Sequence, residues 1–194
     1  MAIVMTMEAP GATPDQYDAL NEALGVVDDA TAPDGLVMHM AGISEDGMVI
    51  VDVWESQEKL DAFFTTGGLG QALEESDMQV GQPSIHKLHD VIPQGSGSGD
   101  NVLVMIETEM TTDDYDEVAG ALPAHSADGG GHPAVAHIAA VTDDGKLYVF
   151  DLWESAEAFG AFADSQLAPH AEKMGEVTPK FVPVHNVIRG SASA

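Results

Sequence analysis

The hexamer Val51-Asp-Val-Trp-Glu-Ser56 returns as Phe150-Asp-Leu-Trp-Glu-Ser155, and no other feature constrains the fold as strongly. The flanks match too: Thr13-Pro-Asp-Gln-Tyr17 with Thr111-Thr-Asp-Asp-Tyr115, Met38-His-Met40 with Ala136-His-Ile138, and Leu88-His-Asp-Val-Ile92 with Val184-His-Asn-Val-Ile188. Self-similarity on this scale reads as an internal duplication, so the chain must take a fold that occurs twice. The repeats occupy 1–93 and 101–190, joined by a Gly/Ser-rich tether at 94–100 and followed by a tail at 191–194. Such a tether carries nothing to pack and behaves as a flexible spacer.

Within the first repeat, Ala2–Glu8 is a β-prone run. Thr13-Pro-Asp-Gln16 then supplies the threonine cap, first-turn proline and Gln of a capping box, which opens a helix. Tyr17, Leu20 and Leu24 share one helical face, as do Tyr115, Val118 and Leu122. Gly35–Ile43 and Met48–Trp54 read as a hairpin turning at Asp46-Gly47, with Asp144-Gly145 as the second copy's turn. Ser56 and Ser155 cap second helices that carry Leu60, Phe63 and Phe64 or Phe159 and Phe162, and Gly67-Gly68 breaks the first of these. Pro83–Ile92 and Pro179–Ile188 close the units as last strands. The order β-α-β-β-α-β is that of a ferredoxin-like domain, an α+β unit with both helices on one face of an antiparallel sheet. The uncovered sheet faces are expected to bury each other, so that one chain forms an intramolecular dimeric α/β barrel.

This repeat order, the Trp-Glu-Ser step from third strand to second helix, and the His-Asn-Val-Ile ending resemble the dimeric α/β-barrel superfamily, and in particular the antibiotic biosynthesis monooxygenase (ABM)-like proteins. The resemblance covers nearly the whole chain, twice, and its motifs mark fold more than activity. It implies a small-molecule pocket in each half, and either cofactor-independent oxygenation of an aromatic or apolar substrate or a non-catalytic ligand-binding or stress-related role. The haem-degrading members use an Asn, a Trp and a His; Trp54 and Trp153 offer the Trp, but the first strands contain no Asn, and no cofactor is expected.

Hairpin register narrows the site. A four-residue loop, Ser44–Gly47, sets His39 opposite Asp52, and a five-residue loop, Thr142–Lys146, sets His137 opposite Asp151. Two-residue loops would instead oppose His39 to Trp54. Alternation assigns Val37, His39, Ala41, Ile50, Asp52 and Trp54 to one face and Met38, Met40, Val49, Val51 and Val53 to the other. The uniformly apolar set suits the helix-covered core, which puts the His, Asp and Trp set on the barrel side. His39 with Asp52, and His137 with Asp151, are then candidate catalytic bases, because the carboxylate fixes the imidazole tautomer and stabilises its protonated form. The bland alternative is a buried pair that only satisfies itself. Trp54, Trp153, His89 and His185 are the candidate ligand-binding residues. No metal site is expected, since three convergent ligands are not evident. His125, His132 and His170 have no copies in the first half and are expected to be solvated.

Thirty-three Asp and Glu against six Lys and Arg give a formal charge of −27, spread along the chain. Such a surface repels phosphates and anionic lipid, so nucleic acid and membrane are not expected partners; a small-molecule ligand, and possible self-association of the pseudo-dimer, are. No apolar run approaches a spanning helix, and Met1–Gly11 has no signal-peptide pattern, so the expectation is a cytoplasmic protein. Absent cysteine removes disulfides and thiolate chemistry. The acidity suits a salt-rich cytoplasm, where screening relieves self-repulsion. The melting temperature is therefore expected to rise markedly from dilute buffer to molar KCl; a flat profile would remove the halophilic reading.

Overall fold

The computed structural model describes residues 1–93, 101–122 and 132–194. The expected tether at 94–100 and His125 lie outside the described residues. Internal contacts divide the chain into two compact units, Met1–Lys87 with Val184–Ala194, and Leu88–Pro183.

The first unit runs β1 (Ile3–Pro10), α1 (Pro14–Leu24), β2 (Leu36–Ser44), β3 (Gly47–Trp54), α2 (Gln57–Thr66) and α3 (Leu69–Ser76), and holds the start of β4 (Ser84–Pro93). The second holds the rest of β4, then β5 (Val102–Glu107), α4 (Thr112–Ala121), β6 (Ala136–Val141), β7 (Leu147–Trp153), α5 (Ala156–Phe162), α6 (Ala171–Met174) and the start of β8 (Lys180–Arg189). The end of β8 belongs to the first unit. Local chemistry explains the boundaries. Thr13 and Gln16 form a reciprocal capping box with Pro14 at the first helical position, and Thr111 and Asp114 repeat it. Gly25 ends α1 at φ 70°, a left-handed conformation that favours glycine. Ser155 caps α5 through the Ala158 amide, whereas Ser56 sits at the cap of α2 without a side-chain bond, a departure from the sequence expectation.

Each unit is a sheet of shared strands. In the first the order is β4-β1-β3-β2-β8, and in the second β8-β5-β7-β6-β4. β8 pairs antiparallel with β5 through Lys180–Pro183 and with β2 through Val184–Arg189. β4 pairs with β1 through Ser84–Lys87 and continues into the second unit. The expectation that each last strand closes its own repeat is thus corrected: β4 and β8 are long enough, at 10 residues each, to serve one unit with one end and the other unit with the rest.

The hairpin register is as expected, with His39 opposite Asp52 and His137 opposite Asp151. The facing of that register is not. Ile50, Trp54 and Ala41 pack with Tyr17 and Leu20 of α1 and Leu60 of α2, so the His, Asp and Trp set lies under the helices. Met38, Met40, Val51 and Val53, expected there, occupy the opposite face and are wholly buried. Both faces are apolar enough to be covered, and alternation separates two faces without saying which one a helix covers. A register shift between Leu36 and Met38 also moves Val37 out of the set, and Leu36 takes the place beside Trp54.

Candidate functional site

In the first unit four elements converge on one hydrogen-bonded chain. β2 and β3 present His39 and Asp52 across the hairpin, with His39 Nδ1 2.7 Å from Asp52 Oδ1. Two residues on along β3, on the same face, Trp54 Nε1 donates to Asp52 Oδ2 at 3.2 Å. Tyr17, one turn into α1, brings its hydroxyl to 2.5 Å from His39 Nε2, with the two rings stacked at 12°. The last strand completes the chain, as Asn186 Nδ2 donates to Tyr17 Oη at 3.1 Å. An ionised Asp52 accepts from both sides, so His39 carries its proton on Nδ1 and accepts the Tyr17 hydrogen at Nε2. Burial pushes the Tyr17 phenol well above its ordinary range.

The chain ends at a cavity of about 70 Å³ whose other walls are almost all apolar, among them Met5, Met7, Leu20, Phe63 and Phe64. His39, Asp52, Trp54, Tyr17 and Asn21 also line it. His185 stands outside this wall. It pairs with Asp18 on α1 at 2.8 Å and sets its ring edge against Tyr17 at 5.4 Å.

The second unit repeats the arrangement at matched positions. His137 Nδ1 lies 2.6 Å from Asp151 Oδ1, Trp153 Nε1 donates to Asp151 at 3.3 Å, and Tyr115 Oη is 2.6 Å from His137 Nε2. His89 pairs with Asp116 at 2.7 Å and meets Tyr115 edge-on, as His185 does with Asp18 and Tyr17. Asp90 stands where Asn186 stands in the first unit, and it accepts from the Tyr115 hydroxyl at 3.1 Å. Burial alone would lower the His137 pKa, but the carboxylates of Asp151 and Asp90 outweigh it and the net direction is up. Burial, with Asp90 beside it, drives the Tyr115 phenol up as well.

His132, expected in solvent, is buried; its ring packs 4.8 Å from His137 and against Trp153 and Phe162. Loop position alone gave it away as solvated, and only the tertiary packing of the segment before β6 puts it inside. His170 is half-buried. A cavity of about 60 Å³ adjoins His132 and His137, with Asp151, Thr108 and Tyr115 also in its wall and the rest of the lining apolar, Met110 and Phe162 among it. Trp153, unlike Trp54, is not part of the cavity wall. The two tyrosines, Asn186, Asp90 and His132 are site residues that sequence reasoning did not assign, although the matched Tyr17 and Tyr115 were visible in the repeat. Among the described residues no group of three His, Cys, Asp or Glu side chains converges as a metal site, and no helix is long and apolar enough to cross a membrane.

No protein-family model matches the chain, and no curated protein does. Solved structures do. Two proteins described as putative monooxygenases align over 97% of this chain: one from Lactobacillus acidophilus NCFM, with 12% identity, 97% of its own length and a TM-score of 0.70, and one from Fusobacterium nucleatum, with 8%, 94% and 0.66. An anthrone oxidase-like protein aligns over 98% of this chain and 94% of its own length, with 14% identity and a TM-score of 0.54. The chain thus shares the ABM-like fold of these proteins, and at such identities the likeness is one of fold.

Proposed function

We propose that the chain is a cofactor-independent monooxygenase of the ABM type, acting on a small apolar or aromatic molecule with an acidic C–H bond, with His39 and Asp52 as its base. The observation that carries this reading is the unbroken chain Trp54–Asp52–His39–Tyr17, which lines a largely apolar cavity. A proton-accepting group at an apolar wall is what a carbon acid needs, because desolvation there strengthens each electrostatic contact.

Tyr17 lines the cavity beside His39 with its hydroxyl on Nε2, and its raised pKa makes a standing phenolate unfavourable. Proton abstraction therefore passes through Tyr17 in one motion: Oη takes the C–H proton while its own moves to His39 Nε2, and Asp52 stabilises the imidazolium. The substrate carbanion gives an electron to dioxygen and forms the C–O bond. His39 returns the proton through Tyr17 to the resulting peroxide, and loss of water leaves the carbonyl. The balance is CH₂ plus O₂ to C=O plus H₂O, with the base regenerated.

Cavity size limits the substrate. About 70 Å³ is half of the roughly 150 Å³ that holds one benzene, so an aromatic ring enters only if side chains such as Met5, Met7 and Phe63 move aside. This small volume favours a second reading, a non-catalytic ligand-binding or stress-related protein with the same pockets. The doubling of the site fits a chain whose repeats play the two protomers of a dimer, each lending its last strand to the other's site.

Oxygen uptake with an anthrone-type substrate under ¹⁸O₂ separates the readings. The expected result is one labelled oxygen in the product carbonyl, with His39→Gln and Asp52→Asn slowing turnover by about 10²–10⁴-fold. Binding by calorimetry without uptake would favour the non-catalytic reading. Uptake unchanged in His39→Gln would remove His39 as the base.

A further inference from the structure

We propose that Asn21 selects the ligand of the first unit: its side-chain amide donates from Nδ2 to a carbonyl oxygen, so this cavity takes a small, otherwise apolar ketone, while the cavity of the second unit has Ala119 at the matched position and lacks that donor. The inference rests on the oxygenase reading above only for how the ketone reacts; the binding it describes is separate from turnover.

Matched helices build the two cavities. Tyr17 and Asn21, one turn apart on α1, both line the first, and Tyr115 and Ala119 hold the same places on α4 and line the second. The tyrosine recurs, whereas the residue after it changes from an amide to a methyl group. Asn21 Nδ2 is buried and has no hydrogen-bond partner among the described residues. A buried donor left unmet costs stability, so an amide in a place where alanine also serves is a cost without a return inside the fold. The helix end does not need it. The Asn21 carbonyl accepts from the Val26 amide at 2.9 Å and the Ala119 carbonyl from Leu122 at 3.1 Å, both through backbone alone.

The other polar side chains of the first wall are engaged with one another. Trp54 donates to Asp52, Asp52 meets His39, and His39 meets the Tyr17 hydroxyl, to which Asn186 also donates. Asn21 lies near enough to that hydroxyl to act with Asn186 against the rise in its pKa that burial causes, yet Nδ2 makes no bond there. A ligand with an acceptor oxygen thus meets a spare donor beside Tyr17. A ketone fits best, because its oxygen accepts without bringing a hydrogen that the apolar lining has no means to receive. In the oxygenase reading the contact has a second use. When the C–H bond next to the carbonyl breaks, its proton leaves through Tyr17 and the electron pair spreads onto the carbonyl oxygen, where the hydrogen bond from Asn21 strengthens.

Methionine-methyl ¹³C NMR of the full chain reads the two cavities separately, since Met5 and Met7 line the first and Met110 and Met174 the second. The signals are assigned with Met7→Leu and Met110→Leu, and the probes are cyclopentanone and methylenecyclopentane, which differ only in C=O against C=CH₂. Asn21→Ala should move the ratio of ketone to hydrocarbon affinity at Met7 by about tenfold toward the hydrocarbon and leave the ratio at Met110 alone. The reverse exchange, Ala119→Asn, should move the Met110 ratio toward the ketone. In the unaltered chain the bound ketone's C=O stretch, read by isotope-edited infrared spectroscopy, should fall below its value in hexane. No ketone-dependent change at Met5 and Met7, a C=O stretch at its hexane value, or a folded Asn21→Ala chain with the Met7 ratio unmoved each overturns the proposal. Asn21→Ala should also melt no lower than the unaltered chain; a lower midpoint would give the amide to the fold and overturn its assignment to a ligand. Turnover reads separately. If the oxygenase reading holds, Asn21→Ala slows oxygen uptake by about 10²-fold, and the absence of uptake in every form would remove that reading and leave ketone selection to the methyl signals.

Discussion

Replacing Asp151 by alanine is expected to cost the chain about 3–5 kcal/mol of stability near pH 6, the cost of breaking a buried ion pair from one side. Asp151 and His137 each expose only 6% of their side chains, so little water is available to take over the lost partner. The Trp153 indole N–H loses its acceptor in the same variant. The pH dependence has a definite sign. The His137 pKa is raised in the folded protein, so its contribution is fully present below the unfolded value, ordinarily about 6.5, and fades as pH rises through the folded value. The gap between wild type and Asp151→Ala should therefore be widest near pH 6 and shrink in alkaline buffer to the roughly 1–3 kcal/mol of an unmet hydrogen bond. The comparison is Asp116→Ala, whose carboxylate is 64% exposed in its pair with His89 and which should cost no more than about 1 kcal/mol. Urea denaturation at pH 6 and 9 measures both. Equal costs for the two variants at pH 6 would mean that the His137–Asp151 pair is not a buried ion pair.

The fragment Met1–Pro93, expressed alone, should not give a folded monomer. It retains β1, β2 and β3 but loses the stretch of β8 that pairs with β2 from Met38 to Gly42. With it go Ile188, which is 1% exposed, and the partners of Tyr17 and Asp18. An open strand edge beside an uncovered apolar face has two outcomes, unfolding or capture of a strand from another copy. Leu88–Val91 matches Val184–Val187 closely enough to serve as that strand, so exchange into a dimer is the expected folded form. Sedimentation with circular dichroism tests this, and a peptide covering 180–194 should rescue the monomer. A folded monomer without the peptide would show that the borrowed strand is dispensable.

The cross-strand pairs were legible in the sequence because loop length fixes hairpin register, and two loops of different length gave the same His–Asp partner. Which face the pairs occupy was not legible. Val51 and Val53 on one side and Ile50 and Trp54 on the other are alike in apolarity, and the choice depends on where α1 and α2 settle. Tyr17 shows the same limit: its helical face was evident, but its bond to His39 joins elements whose approach no local pattern encodes. His89 and His185 were recognised as matched, yet their partners, Asp116 and Asp18, lie in the other half of the sequence, and only the path of β4 and β8 brings them together. His132 had no counterpart to flag it.

The sharing of β8 also sets an order of events on the ribosome. The first unit cannot close its sheet until Val184–Arg189 has left the exit tunnel, long after β1, β2 and β3 have emerged. At ordinary elongation rates of about 5–20 residues per second, the wait is roughly 7–27 s. Throughout that interval the nascent chain carries an unpaired β2 edge, the kind of surface that recruits neighbouring chains on a polysome. The dense negative charge borne by every copy opposes that encounter by mutual repulsion.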